Sequence, residues 1–106
     1  MINSDTFTFT QYESVAKTTA TYESADYLPL GLSEEVGELI HEFARCKRKG
    51  VEMDVPALIS EVGDVLWVLS QIAREHNFTL SQAARSNLGK LQERNEKGAI
   101  HDKTNR

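Results

Sequence analysis

The sequence predicts an all-α protein, a four-helix fold whose bundle is completed by oligomerisation. Three observations carry this. Apolar residues recur at helical spacing in four successive segments, as in Val36, Leu39, Ile40 and Phe43, and no segment shows the period-two alternation of a strand. Capping signals bracket the segments. The chain has 106 residues, which suits one domain, and a chain this short buries only about two thirds of its unfolded surface.

The first helix is expected to run from about Thr8 to Ala25. Thr8 and Gln11 form a capping box, and Tyr12, Val15, Ala16, Thr19 and Tyr22 make its stripe. Tyr27-Leu-Pro-Leu30 reads as the break. The second helix starts at about Leu30 or Ser33 and ends at Lys49, with Gly50 as its terminating residue. The third has Asp54 as N-cap and tolerates Pro56 in its first turn. Its stripe is Leu58, Val62, Val65, Leu66, Leu69, Ile72 and Ala73, and Asn77 stops it. The fourth opens at Thr79 with Gln82 as a second capping box and ends at Gly98. Residues 98–106 read as a mobile tail of the single domain, 1–106.

Composition excludes several classes. The formal net charge is -4, and no basic stripe suits a nucleic acid polymer. A nucleotide held through metal ions stays open. Cys46 is alone, so neither an intrachain disulfide nor a cysteine-pair metal site is possible. The N-terminus carries no signal-peptide pattern, and no apolar run approaches the ~18 residues of a membrane span. A cytoplasmic protein is the expectation.

The chemistry concentrates in two echoing blocks, Glu35-Val-Gly-Glu38 and Glu61-Val-Gly-Asp64. Residues three apart share a helix face, so each block pairs two acids beside an apolar stripe. Packing the two stripes together brings four carboxylates to the edge of one interhelical seam. Acids so placed raise one another's pKa unless cations join them. Hard divalent ions take carboxylate oxygens, and Mg²⁺ is the expected occupant, with Mn²⁺ as a substitute. Gly37 and Gly63 each cost a helix about 1 kcal/mol. That cost makes sense if they let a helix or ligand approach beside the acids. A single ExxE is usually a solvated face; two, each around a glycine, are not easily read that way.

On the fourth helix Asn87, Lys90 and Arg94 share a face with Leu91. Cations beside a metal cluster suit polyphosphate, although basic residues also settle at helix C-termini without a ligand. Lys47-Arg48-Lys49 reads as a solvated helix end. Trp67 lies away from the main stripe, where a monomer would expose it; it fills a subunit interface or stacks on a base. Glu38 and His41 make one ExxH triplet, but the third helix offers no second, so the di-iron bundle pattern fails.

Glu34-Glu35-x-x-Glu38 followed by Glu61-x-x-Asp64, with Asn87-x-x-Lys90-x-x-x-Arg94 downstream, resembles the signature of the MazG-like all-α nucleotide pyrophosphohydrolases over roughly residues 30–97. The resemblance implies a MazG-like four-helix fold and Mg²⁺-dependent hydrolysis of (deoxy)nucleoside triphosphates to monophosphate and pyrophosphate, as nucleotide-pool house-cleaning. It implies Glu35, Glu38, Glu61 and Asp64 as metal ligands, and Glu34 as holder of a further metal or orienter of water. It implies Asn87, Lys90 and Arg94 at the substrate phosphates, in a homodimer or a dimer of dimers. The family often places an aromatic residue after the motif's arginine, where Asn95 stands here. The alternative reading is a non-catalytic helical interaction or regulatory protein whose acids form a solvated face.

Overall fold

In the computed structural model, described here for residues 6–98, the elements are α1 (Phe9–Ala16), a 3₁₀ turn (Lys17–Thr19), α2 (Tyr27–Lys49), α3 (Val55–Glu75) and α4 (Leu80–Glu96), with no strand among the described residues. The expected tail beyond Gly98 lies outside those residues.

Local capping signals place most helix ends. The Thr8 hydroxyl accepts the Gln11 N–H at 3.1 Å, and the Gln11 side chain accepts the Thr8 N–H at 2.8 Å. Thr79 and Gln82 repeat this box at the start of α4. Asp54 accepts the Ala57 N–H at 3.1 Å and starts α3 ahead of Pro56. Gly50, at φ 64°, ends α2, and Asn77, at φ 62°, follows the end of α3. Both sit in the left-handed region that terminates helices.

Two boundaries differ from expectation. The first helix stops at Ala16, not Ala25, and α2 starts at Tyr27 and runs through the expected break. The cause of the first is a threonine cluster. Thr18 and Thr19 turn their hydroxyls back to the Val15 and Ala16 carbonyls, each at 2.7 Å. Such bonds offer the backbone an alternative to helix, and β-branched residues are poor helix formers. The second follows from position. Pro29 is the third residue of α2, where its missing N–H has no intrahelical partner to lose.

The α2–α3 pair forms the main packing unit, joined by the short 50–54 connection, while α1 lies against α3 and α4. The Glu13 carboxylate ties α1 to α4 by accepting the Leu80 N–H at 3.1 Å. The buried apolar side chains are Ala16, Leu28, Val68, Ala73 and Leu80, with Ser70 and Gln71 beside them. Gln71 is satisfied: its amide donates to Ser70 Oγ at 3.3 Å and its oxygen accepts from Arg74 at 3.0 Å.

The packed faces match the expected stripes in part: Leu58, Val65, Leu66, Ile72 and Ala73 on α3, but only Leu39 on α2 among Val36, Leu39, Ile40 and Phe43, lie on the less exposed side. On α2 the less exposed positions include Leu28, Gly31, Leu32, Glu35, Leu39, Glu42 and Cys46; on α3 they include Leu58, Glu61, Val65, Val68 and Ile72. Val36, Ile40 and Phe43, and Val55, Ile59, Val62 and Leu69, stay exposed, with Ile40 at 60% and Ile59 at 66%. These residues recur at i, i+4 and i+7, so each helix carries a second, uncovered apolar stripe. Contrary to the expectation of no membrane-length run, α3 is long and apolar enough to cross a membrane by length and composition. Its centre holds Glu61 and Asp64, however, and a carboxylate such as Asp costs about 2.5–3.5 kcal/mol at mid-span.

Candidate active site

The α2–α3 seam brings acids from both helices together. Glu35 on α2 and Glu61 and Asp64 on α3 each present a carboxylate oxygen, and these oxygens lie within 4.8 Å of one another. Helix geometry explains the grouping. Glu35 falls on the packed face of α2 between Leu32 and Leu39, and Glu61 on that of α3 between Leu58 and Val65. Both are partly buried, while Asp64, one turn on, stands exposed at the rim.

The electrostatics mark the cluster as short of positive charge. The Glu35 carboxyl is pushed above the ordinary carboxylate range, by burial first and then by the charges of Asp64, Glu61 and Glu38. Glu61 is raised as well, by desolvation and then by Asp64, Glu38 and Glu42, with His41 acting the other way. Neither Lys90 nor Arg94 is among the charges acting on these two acids.

The donor set fits a hard divalent cation. An octahedral Mg²⁺ holds oxygens at 2.0–2.1 Å, which sets neighbouring ligands ~3 Å apart and opposite ones ~4.2 Å apart. The three oxygens lie within 4.8 Å of one another, so side-chain rotations that draw them together by at most about 2 Å seat an ion of that size. All three donors are carboxylates, the ligands that hard cations select.

The other predicted residues are placed differently. Glu38 is exposed and acts on Glu35 and Glu61 through its charge, but its oxygens lie outside the group of three. Glu34 is exposed and stands apart from the cluster. Asn87 and Lys90 are exposed on α4 and Arg94 is half-buried. Lys90 and Arg94 line a surface hollow of about 260 Å³ with Glu93 and Lys97, and none of the clustered acids borders it. Lys97 also bonds Glu93 at 2.7 Å and lowers its pKa. Within one chain, then, the acids assemble and the basic face of α4 does not join them.

Two expectations are corrected. Gly37 and Gly63 do not serve the approach of α2 to α3, since a Cβ at either would meet nothing within 4 Å; the glycine at a close approach is Gly31, whose Cβ would lie 3.0 Å from the Tyr27 ring. Trp67 is not left exposed by the single chain. It is half-buried, its indole N–H donates to Thr19 Oγ at 2.8 Å, and Tyr22 meets it edge-on at 6.4 Å. Tyr12 is a neighbour that the sequence did not single out: burial and then the Asp64 charge raise its phenol pKa. Nothing in the α1 stripe alone reveals its register against α3.

Comparison with known proteins identifies the family. Residues 23–99 match the sequence model of the MazG nucleotide pyrophosphohydrolase domain. The chain belongs to the MazG family. It is also 32% identical over 102 residues to the Gene 37 protein of Mycobacterium phage L5, a match covering 84% of this chain and 90% of that one. No solved structure matches. The MazG match includes α2, α3 and α4, and therefore both acidic blocks and the basic motif, while α1 lies before it.

Proposed function

We propose that this MazG chain hydrolyses (deoxy)nucleoside triphosphates to the monophosphate and pyrophosphate in a Mg²⁺-dependent reaction, clearing unwanted nucleotides from the pool. The observation that carries the reading is the Glu35, Glu61 and Asp64 cluster, built by two helices of a chain whose family is described by that activity. Bound there, a divalent cation supplies charge neutralisation at the phosphates and a more acidic water. Glu35, Glu61 and Asp64 hold it, Glu38 adds a rim carboxylate, and Glu34 is within sequence reach to orient water. Lys90 and Arg94, with Asn87, offset charge on the leaving pyrophosphate.

A dimer or a dimer of dimers is part of the proposal. The radius of gyration, 16.6 Å, exceeds the ~13 Å of a compact domain of about this length. The uncovered stripes on α2 and α3 supply apolar area for a second copy, and a partner's α4 is a source of cations that its own acids lack. The test is a panel of nucleoside and deoxynucleoside triphosphates assayed with Mg²⁺ for monophosphate and pyrophosphate. Turnover lost in Asp64→Asn supports the reading. Absence of turnover across the panel overturns it and leaves the stripes to an interaction protein.

A further inference from the structure

We propose that the hollow between α1, the last turns of α3 and the start of α4 is a second binding site, which takes a small organic phosphate monoester through Lys17 and Arg74. It stands apart from the acidic cluster and does not rest on the hydrolase reading.

Position separates the two sites. Arg74 lies ten residues beyond Asp64 on α3, about 15 Å along the axis. Lys90 and Arg94 line a different hollow, with which this one shares no residue. This one measures about 280 Å³, just under the ~300–1,000 Å³ of sites for drug-sized ligands. Thr10, Glu13 and Lys17 of α1 line one side, Gln71 and Arg74 of α3 another, and Phe78 the end towards α4.

The walls have cations to spare. Glu13 and Lys17 are spaced i,i+4 in the order that favours a helical ion pair, yet among the described residues neither Lys17 nor Arg74 makes a salt bridge. Glu13 instead accepts the Leu80 N–H at 3.1 Å, at the positive end of α4. It is the one acid among the described residues that line the hollow, and it is turned away from Lys17. Arg74 is held from below. Its guanidinium donates to Gln71 Oε1 at 3.0 Å, and Gln71 is itself 1% exposed and anchored to Ser70 Oγ at 3.3 Å. A glutamine in the core needs partners that an apolar side chain would not. Its use here is to fix a guanidinium that has no counter-ion at the edge of the hollow.

The inventory of hydrogen bonds selects the ligand. Lys17 offers three N–H donors, and Arg74 keeps four of its five after the bond to Gln71. The Thr10 hydroxyl is uncommitted, while that of Ser14 already donates to the Gln11 carbonyl. Donors therefore converge from two helices and call for a ligand rich in acceptors. A phosphate monoester presents three oxygens in different directions and a charge of about −1.5 to −2 at neutral pH. A carboxylate presents two oxygens in one plane, which the Arg74 fork alone would use. Phe78, 38% exposed, gives the organic part of the ester an aromatic wall.

Phenyl phosphate is the probe. It is titrated into the full chain in chelator, where the acidic cluster holds no metal to attract it, and the Gln71 side-chain amide is followed by ¹H–¹⁵N NMR. A saturable shift is expected, with a dissociation constant below about 1 mM. Binding should be about fivefold weaker for inorganic phosphate, which lacks the ring, and about tenfold weaker for benzoate, which lacks the third oxygen. Lys17→Ala and Arg74→Ala each weaken binding about tenfold; both residues are exposed, so the core is spared. Arg74→Lys keeps the charge and loses the fork, and it weakens binding too. Lys90→Ala leaves binding unchanged. The absence of a saturable shift up to about 10 mM overturns the proposal. So does equal affinity for benzoate or inorganic phosphate, an undiminished response in Arg74→Ala, or a response lost in Lys90→Ala.

Discussion

Removing one carboxylate from the Glu35, Glu61 and Asp64 cluster is expected to have opposite effects on stability with and without metal. In the metal-free chain, burial and its acidic neighbours raise the Glu35 pKa, so ionised Glu35 opposes folding. Glu35→Gln keeps the shape and removes the charge, and its melting temperature in chelator should equal or exceed that of the parent. With Mg²⁺ the order reverses. A ligand that binds only the folded chain at 100 times its dissociation constant adds about 2.7 kcal/mol. At about 4–8 °C per kcal/mol for a domain near this size, the parent gains about 10–20 °C. Glu35→Gln and Asp64→Asn each lose one of three ligands whose oxygens lie within 4.8 Å, and should lose most of that gain at the same Mg²⁺ concentration. Thermal unfolding followed by far-ultraviolet circular dichroism, in chelator and in Mg²⁺, reads both effects. An undiminished Mg²⁺ shift in both variants would refute the ligand assignment, and a large loss of stability in chelator would refute the electrostatic account.

The same raised groups give a pH dependence. Between the ordinary carboxylate range and the raised values of Glu35 and Glu61, the folded chain keeps protons that the unfolded chain has released, so metal-free stability falls as pH rises through that window. Melting curves in chelator across about pH 4–7 should show a decline that flattens in Glu35→Gln; an equal decline in parent and variant would count against it. Gly63→Ala should raise the stability of the metal-free chain by about 1 kcal/mol, because a mid-helix alanine is better than glycine and its Cβ meets nothing within 4 Å. A drop in the melting temperature would reveal a close contact made only in the assembled protein. Sedimentation should find a dimer or tetramer at micromolar concentration, and Ile59→Asp, placed on the uncovered α3 stripe, should dissociate it; an active monomer would remove the case for assembly.

What the sequence disclosed was mostly local. Thr8 with Gln11, Asp54, Gly50, and Thr79 with Gln82 act within a few residues, and each ends or starts a helix where its chemistry predicts. Three of the four expected acids come together: i,i+3 spacing keeps Glu61 and Asp64 on one face of α3 however the helix packs, while on α2 Glu35 joins them and its i+3 partner Glu38 stays outside the group. Which face of α2 meets α3 was not legible. The apolar pattern favoured Val36, Leu39, Ile40 and Phe43, yet of these the seam takes only Leu39, with Leu32 and Glu35. The two sets lie on adjacent faces, and one of them belongs to surface that a single chain does not cover. The early end of α1 depends on threonine hydroxyls competing for carbonyls, a balance that apolar periodicity does not register. The closeness of Tyr12 to Asp64, and the separation of α4's cations from the acids, depend on helix register and on assembly, to which no local motif speaks.

Hydrolysis in ¹⁸O-enriched water, with parent and Asp64→Asn compared in Mg²⁺, tests the central claim most directly. The account predicts one labelled oxygen in the nucleoside monophosphate and none in the pyrophosphate, with turnover abolished in the variant. Label in the pyrophosphate, release of orthophosphate and nucleoside diphosphate, or undiminished turnover in Asp64→Asn would contradict it.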